Sequence, residues 1–148
     1  MCLLTLYETP DVAEEDIIAY KTFLFDENFL VYTPYQQYYP KFNIKLTAKG
    51  RMVPKKELVG FSYGEGGFHS FALLEDAKND LRKCCWPVPS WVALKCIIPK
   101  GTWYVKGVFE KQFSYISKHL IVTKEIIAFS NWDNSITEEE FKKHLELC

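Results

Sequence analysis

Three histidines (His69, His119, His144) and five cysteines (Cys2, Cys84, Cys85, Cys96, Cys148) are the side chains of this chain best suited to ligating a metal or attacking a substrate. Their spacing argues against a metal. Structural zinc sites draw on close pairs such as C-x(2–4)-C or H-x(3–5)-H, and neither occurs. An odd cysteine count with one adjacent pair fits free thiols in a reducing compartment, with Cys84 and Cys96 as buried thiols. No G-x-S-x-G elbow is present. Gly60-Phe61-Ser62-Tyr63-Gly64-Glu65-Gly66-Gly67 lacks the Gly-Lys-Ser/Thr ending of a phosphate loop and opens no long helix. Paired H-x-Φ-S/T phosphoesterase motifs fail as well, because His69-Ser70-Phe71-Ala72 and His119-Leu120-Ile121-Val122 lack the required hydroxyl. Neither a metal nor a cofactor is expected.

Recognition has more material than catalysis. Aromatic residues make up 16% of the 148, enough to build both a core and a binding face from flat rings. Between Tyr32 and Lys56, Tyr35, Tyr38, Tyr39 and Phe42 are followed by Lys41, Lys45, Lys49, Arg51, Lys55 and Lys56 with no acid between. Rings stack on bases and ammonium groups neutralise phosphate, so this stretch would suit a nucleotide or a short single strand. The plainer account makes half of the rings core and the lysines a solvated face. With 18 basic against 19 acidic residues, a broad positive field is excluded and any nucleic-acid contact is local. The candidate contacts are Tyr35, Tyr38, Tyr39 and His69 for a flat group, with Lys45, Lys49 and Arg51 for phosphate or an acidic patch. His69, which follows the glycine-rich stretch and precedes Ser70, is placed at a pocket edge.

The elements that must position these residues read as one α+β domain over 1–148, mostly antiparallel sheet, with 1–15 and 130–148 as peripheral segments. Ile17 to Phe25 is a buried strand, turned by Asp26-Glu27-Asn28 into a returning strand over Phe29–Tyr32. Phe42 to Thr47 alternates as a half-exposed strand, and Phe68 to Phe71 is a short one. Apolar residues at helical spacing predict the principal helix over about 72–85. Trp91–Ile98 and Thr102–Phe109 flank the turn Pro99-Lys100-Gly101 as a hairpin, and a further strand falls within 114–129. Thr137-Glu138-Glu139-Glu140 is a capping box opening a short terminal helix over about 137–147. No apolar run approaches the roughly 18–20 residues of a bilayer span, and the first residues lack a signal pattern, so a cytoplasmic protein with no membrane partner is expected.

Three segments resemble a family of small proteins of unassigned activity from gut bacteria of the Bacteroidetes type and their phages. They are Ala13-Glu14-Glu15-Asp16-Ile17 with Tyr20-Lys21, then Gly67-Phe68-His69-Ser70-Phe71 with Leu74-Glu75-Asp76-Ala77, then Lys95 through Gly101 with Tyr104, Gly107, Tyr115 and Ser117. The likeness spans roughly residues 13 to 127 and implies a compact cytosolic or phage-encoded protein. A more distant resemblance is to the ADP-ribosyltransferase fold. Tyr20-Lys21, Phe68-His69-Ser70, Ile98-Pro99-Lys100-Gly101 and Ser117 through Val122 follow the order of that family's Tyr-Arg strand, Phe-x-Ser/Thr-Ser strand, Ile-Pro-x-Gly hairpin and Glu-x-Glu strand. Ser117 and His119 fall where the family carries its catalytic glutamate, and neither is a fixed negative charge.

The leading expectation is a small non-catalytic binding protein, serving phage counter-defence, whose partner is a nucleotide-like ligand or a protein or ribonucleoprotein. One alternative is an anti-CRISPR-like inhibitor of a nucleic-acid-guided nuclease. The other is an enzyme acting on NAD or another nucleotide with His69, His119 or Tyr20 in acid–base roles.

Overall fold

Side-chain alternation on three long strands decides where the core lies. A computed structural model describes residues 5–6, 11–34, 38–48, 67–84, 90–109 and 112–148. Its strands are β1 (Thr5–Leu6), β2 (Asp11–Val12), β3 (Ile17–Phe25), β4 (Val31–Tyr32), β5 (Leu46–Thr47), β6 (Phe68–Phe71), β7 (Trp91–Ile98), β8 (Trp103–Phe109), β9 (Gln112–Ser117) and β10 (His119–Ser130). Its helices are α1 (Leu74–Cys84) and α2 (Glu138–Glu146). The sheet runs β1-β8-β9-β6-β3-β7-β10-β5, and its named strands pair antiparallel. This is the mostly antiparallel α+β domain with two helices that the sequence predicts.

Successive residues of a strand face opposite sides, and residues opposite each other on paired strands share a side. Ala19, Phe23 and Phe25 of β3 therefore join Val92, Leu94, Cys96 and Ile98 of β7 and Leu120 and Val122 of β10 on one inner face, all buried. α2 closes that face with Phe141 and Leu145, and the Phe141 ring lies 4.6 Å from Phe25 and 5.5 Å from Phe129. Thr137 caps this helix, its Oγ1 accepting from the Glu140 amide at 3.2 Å. The opposite, outer face carries α1, which buries Ala77 and Leu81.

The sheet is in effect two half-sheets. β3 shares eight register pairs with β7, and β6 shares four with β9, but β3 and β6 share only Tyr20 with Phe71. β4 then occupies the same edge of β3 at Leu24 and Phe25, so strand pairing along this edge is interrupted between Tyr20 and Leu24. Phe68, Tyr104 and Tyr115 of the first half-sheet pack against the core of the second, so the halves face one another across it. From the outer side α1 ties them together. The Thr22 hydroxyl of β3 donates to the Ala77 carbonyl, and the Asp76 carboxylate accepts from the Phe113 amide of β9 at 3.0 Å.

Several strand expectations are corrected, and of the strand expected over Phe42–Thr47 only Leu46–Thr47 forms, with Phe42 in an isolated bridge to Val122. β7 and β8 do not form a hairpin: β7 pairs with β3 and β10, and β8 with β9. Both edges of β7 are taken, and its turn is bonded to the N-terminal segment. Lys100 donates to the Asp16 carboxylate at 2.8 Å, Gly101 to the Ala13 carbonyl at 2.8 Å, and Ala13 to the Thr102 carbonyl at 2.9 Å. Gly101 has φ +84, which favours glycine there. The returning strand at 29–32 keeps only Val31–Tyr32. Asp26 Oδ1 accepts from the Asn28 and Leu30 amides and winds the turn, so that Phe29 takes φ +62 and stacks its ring on His144 of α2 at 4.1 Å.

Candidate functional site

The break in pairing between β3 and β6 gathers polar side chains on the inner face. Counting outward from the Tyr20–Phe71 pair, Lys21 and Ser70 are the next residues on β3 and β6, both on the inner face. The strands do not pair here. Instead Lys21 Nζ donates to the His69 carbonyl at 2.5 Å, covering a peptide group that a continuous ladder would have bonded. Ser70 lies opposite Tyr115, and Tyr115 opposite Lys106 of β8. In the neighbouring row Phe68 lies opposite Ser117, and Ser117 opposite Tyr104. The Tyr104 and Tyr115 rings meet edge-on at 6.0 Å, while the Tyr38 ring sits 6.3 Å from Phe68 at the mouth.

Ser70 and Ser117 are wholly buried, and neither hydroxyl has a hydrogen-bond partner. A buried hydroxyl left unsatisfied costs about 1–3 kcal/mol. Two of them, on adjacent rows of one face, lie beside a lysine and tyrosines that stay half-exposed, and make the break in pairing between β3 and β6 a polar recess in the sheet. Ser114 Oγ and Gln112 Oε1 are buried without partners too, but they face outward under α1.

The residues singled out from the sequence divide among several places. Ser70, Ser117 and Tyr38 belong to the recess. Tyr20 and His69 occupy alternate positions and point to the outer face, where His69 packs edge-on against Phe71 at 4.7 Å. Tyr39 is exposed beside Tyr32, with ring centroids 6.1 Å apart. His119 lies at the far edge of the second half-sheet, bonded through Nδ1 to Thr47 Oγ1 at 3.0 Å, and Lys45 immediately precedes the β5 strand that pairs with it. Tyr35, Lys49 and Arg51 lie outside the described residues. Sequence reasoning missed Lys21, Lys106, Tyr104 and Tyr115 as site residues. The available signal was parity: Lys21 is the one charge in the run Ile17–Phe25 and shares its side with Ala19 and Phe23.

Acid–base chemistry finds little support in this geometry. Burial, helped by the Lys21 charge, pushes His69 down to about 3, so its imidazole is neutral across the physiological range. Slight burial and the charges of Lys45 and Lys118 also lower His119, against a backbone hydrogen bond that raises it. Burial pushes the Cys96 thiol up to about 12, which keeps it un-ionised and unreactive. Among the described residues no carboxylate lines the recess, and none of their histidines, cysteines and carboxylates gather in threes able to hold a metal. The His69 shift is directly measurable. Its imidazole resonances should stay flat from about pH 8 to about pH 4.5 in an NMR titration, and a midpoint near the ordinary histidine value of about 6.5 would contradict this environment.

A depression of about 300 Å³ lies at the start of α2 between Phe129, Asn131, Asn134 and Thr137, with Glu138 on its rim. Three glutamates in the first turn of α2 make it unfavourable for an anion, and none of the residues singled out from the sequence line it. No described helix is long and apolar enough to cross a membrane. No protein-family model matches the chain, and no curated protein or solved structure matches it either.

Proposed function

We propose that the protein binds a small nucleotide-like ligand, one flat ring with an attached anionic group, in the recess between β3 and β6, and leaves it chemically unchanged. The observation that carries this reading is the pair of buried hydroxyls, Ser70 and Ser117, that the folded chain does not satisfy. Tyr104, Tyr115, Phe68 and Tyr38 supply faces for a ring, and Lys21 and Lys106 supply positive charge on the same side. The same inventory argues against turnover, because no described histidine or carboxylate stands at the recess to move a proton. Sequestration is then the biological output, and it is the form in which such a protein would serve the counter-defence role expected from the sequence.

The test exploits a trade-off. Replacing a buried, unsatisfied hydroxyl by a methyl removes a desolvation penalty, so Ser70→Ala and Ser117→Ala should each leave urea stability unchanged or raise it by about 1 kcal/mol. Each should nevertheless weaken ligand binding by roughly tenfold. Native mass spectrometry and calorimetry with linear and cyclic nucleotides, and with NAD, would read the binding, and chromatography the intact ligand. Unchanged affinity in the double variant would place the ligand elsewhere. Consumed ligand would favour an enzyme, and a large protein retained in place of any nucleotide would favour the nuclease-inhibitor reading.

A further inference from the structure

Where β9 passes into β10 at Lys118, the fold sets an exposed aromatic ring beside a small group of cations. The Lys118 amide donates to the Trp103 carbonyl at 2.9 Å, and the Lys118 carbonyl accepts from the Ala48 amide at 2.9 Å. The Lys118 ammonium donates to the Ala48 carbonyl at 2.6 Å, which draws its charge toward β5. There His119 and Thr47 stand opposite one another, joined through Nδ1 and Oγ1, and Lys45 immediately precedes the strand. The charges of Lys45 and Lys118 both reach the His119 ring. Trp103, at the start of β8, is 57% exposed, although tryptophan is among the more buried side chains on average.

An exposed ring and fixed positive charge on adjoining backbone are the two parts of a single-strand binding surface, where rings take bases and ammonium groups take phosphates. Lysines alone attract any polyanion. The ring separates a nucleic acid from an acidic protein, because base stacking on an aromatic side chain is worth about 1–3 kcal/mol per base. The near-zero net charge of the chain restricts such contact to a local patch of this kind. Asp11 lies across β8 from Lys118, since β2 pairs Asp11 with Tyr104 and Val12 with Trp103 while β9 holds the other edge. Its carboxylate disfavours phosphate on that side, so a bound strand runs the other way, from Trp103 over Lys118 and His119 to Lys45. Slight burial and the two lysine charges lower His119, leaving a mostly neutral flat ring on this path at pH 7. We propose that this junction is a contact for a short single-stranded nucleic acid, separate from the recess between β3 and β6.

Fluorescence anisotropy on the full chain tests this with labelled oligothymidylate and oligouridylate of about eight nucleotides, and with heparin and polyglutamate as polyanions that carry no bases. At low salt, about 50 mM, both oligonucleotides should bind. Trp103→Ala should weaken them by roughly tenfold and leave heparin within about twofold. Lys45→Gln should weaken them too, and should flatten the slope of log affinity against log salt by about 0.7, the share of one phosphate on a single strand. Both side chains are exposed, so the circular dichroism of each variant should match that of the parent chain. Failure of both oligonucleotides to bind at low salt would overturn the proposal, and so would binding that neither substitution alters. Polyglutamate held as tightly as the oligonucleotides, with no loss in Trp103→Ala, would overturn it in favour of an acidic protein partner. Mononucleotide binding in the recess is read separately through Ser70→Ala and Ser117→Ala, so the failure of either site leaves the other standing.

Discussion

Phe141→Ala is expected to remove a large share of the protein's folding stability, about 3–5 kcal/mol. Its ring is 1% exposed and contacts Phe25, Phe29 and Phe129, so truncation removes the aromatic keystone between α2 and the inner face. Phe→Ala at such a position costs about 3–5 kcal/mol, and a domain of this size holds only about 5–15 kcal/mol in total. Urea unfolding followed by circular dichroism should show the midpoint falling with little change in slope. Phe113→Ala is the control: its ring is 49% exposed, and its loss should stay within about 0.5 kcal/mol. A Phe141→Ala midpoint close to that control would mean that α2 does not hold the core closed.

Lys21→Met should weaken an anionic ligand by roughly 10- to 100-fold, the range for losing a hydrogen bond to a charged group. Neutral nucleosides separate charge from folding, since their affinity should hardly move in this variant. Lys21→Arg keeps the charge and should recover most of the anion binding, although the guanidinium cannot reproduce the point contact that an ammonium makes with the His69 carbonyl. Equal losses for neutral and anionic probes would reduce Lys21 to a structural plug of the split between β3 and β6.

Local pattern made the elements legible and left their partners hidden. The apolar run Ile17–Phe25 and the apolar run Trp91–Ile98 announce strands with the predicted bounds, and the Thr137 cap a helix that differs from the predicted one by a residue at each end. The hairpin expected around Pro99-Lys100-Gly101 failed because short turns usually join neighbours, whereas here the turn bonds to Ala13 and Asp16. Such bonds come from remote chain, which no local window contains. The single expected strand within 114–129 is two, β9 and β10, meeting at Lys118, whose amide bonds to the Trp103 carbonyl.

The site was half legible for a related reason. Ser70 and Ser117 could be named from their segments, but whether a side chain faces in or out depends on strand parity, and parity depends on which neighbour is buried. Tyr20 faces outward where Lys21 faces the recess, a step of one residue that crosses the whole sheet. Histidines attract functional suspicion by chemistry alone. His69 is instead a packed ring whose main chain, through its carbonyl, is the part that touches the recess.

The eight-rung ladder between β3 and β7 has a consequence for biosynthesis. Its partners are separated by about seventy to eighty positions of chain, so at ribosomal speeds of about 5–20 residues per second the apolar segment Ile17–Phe25 waits several seconds for Trp91–Ile98 to be made. During that interval Ile17, Ala19 and Phe23 have no native mate across the ladder. Co-translational chaperone capture should therefore concentrate on this segment, and yield should respond to translation rate and growth temperature well before it responds to changes on the finished surface.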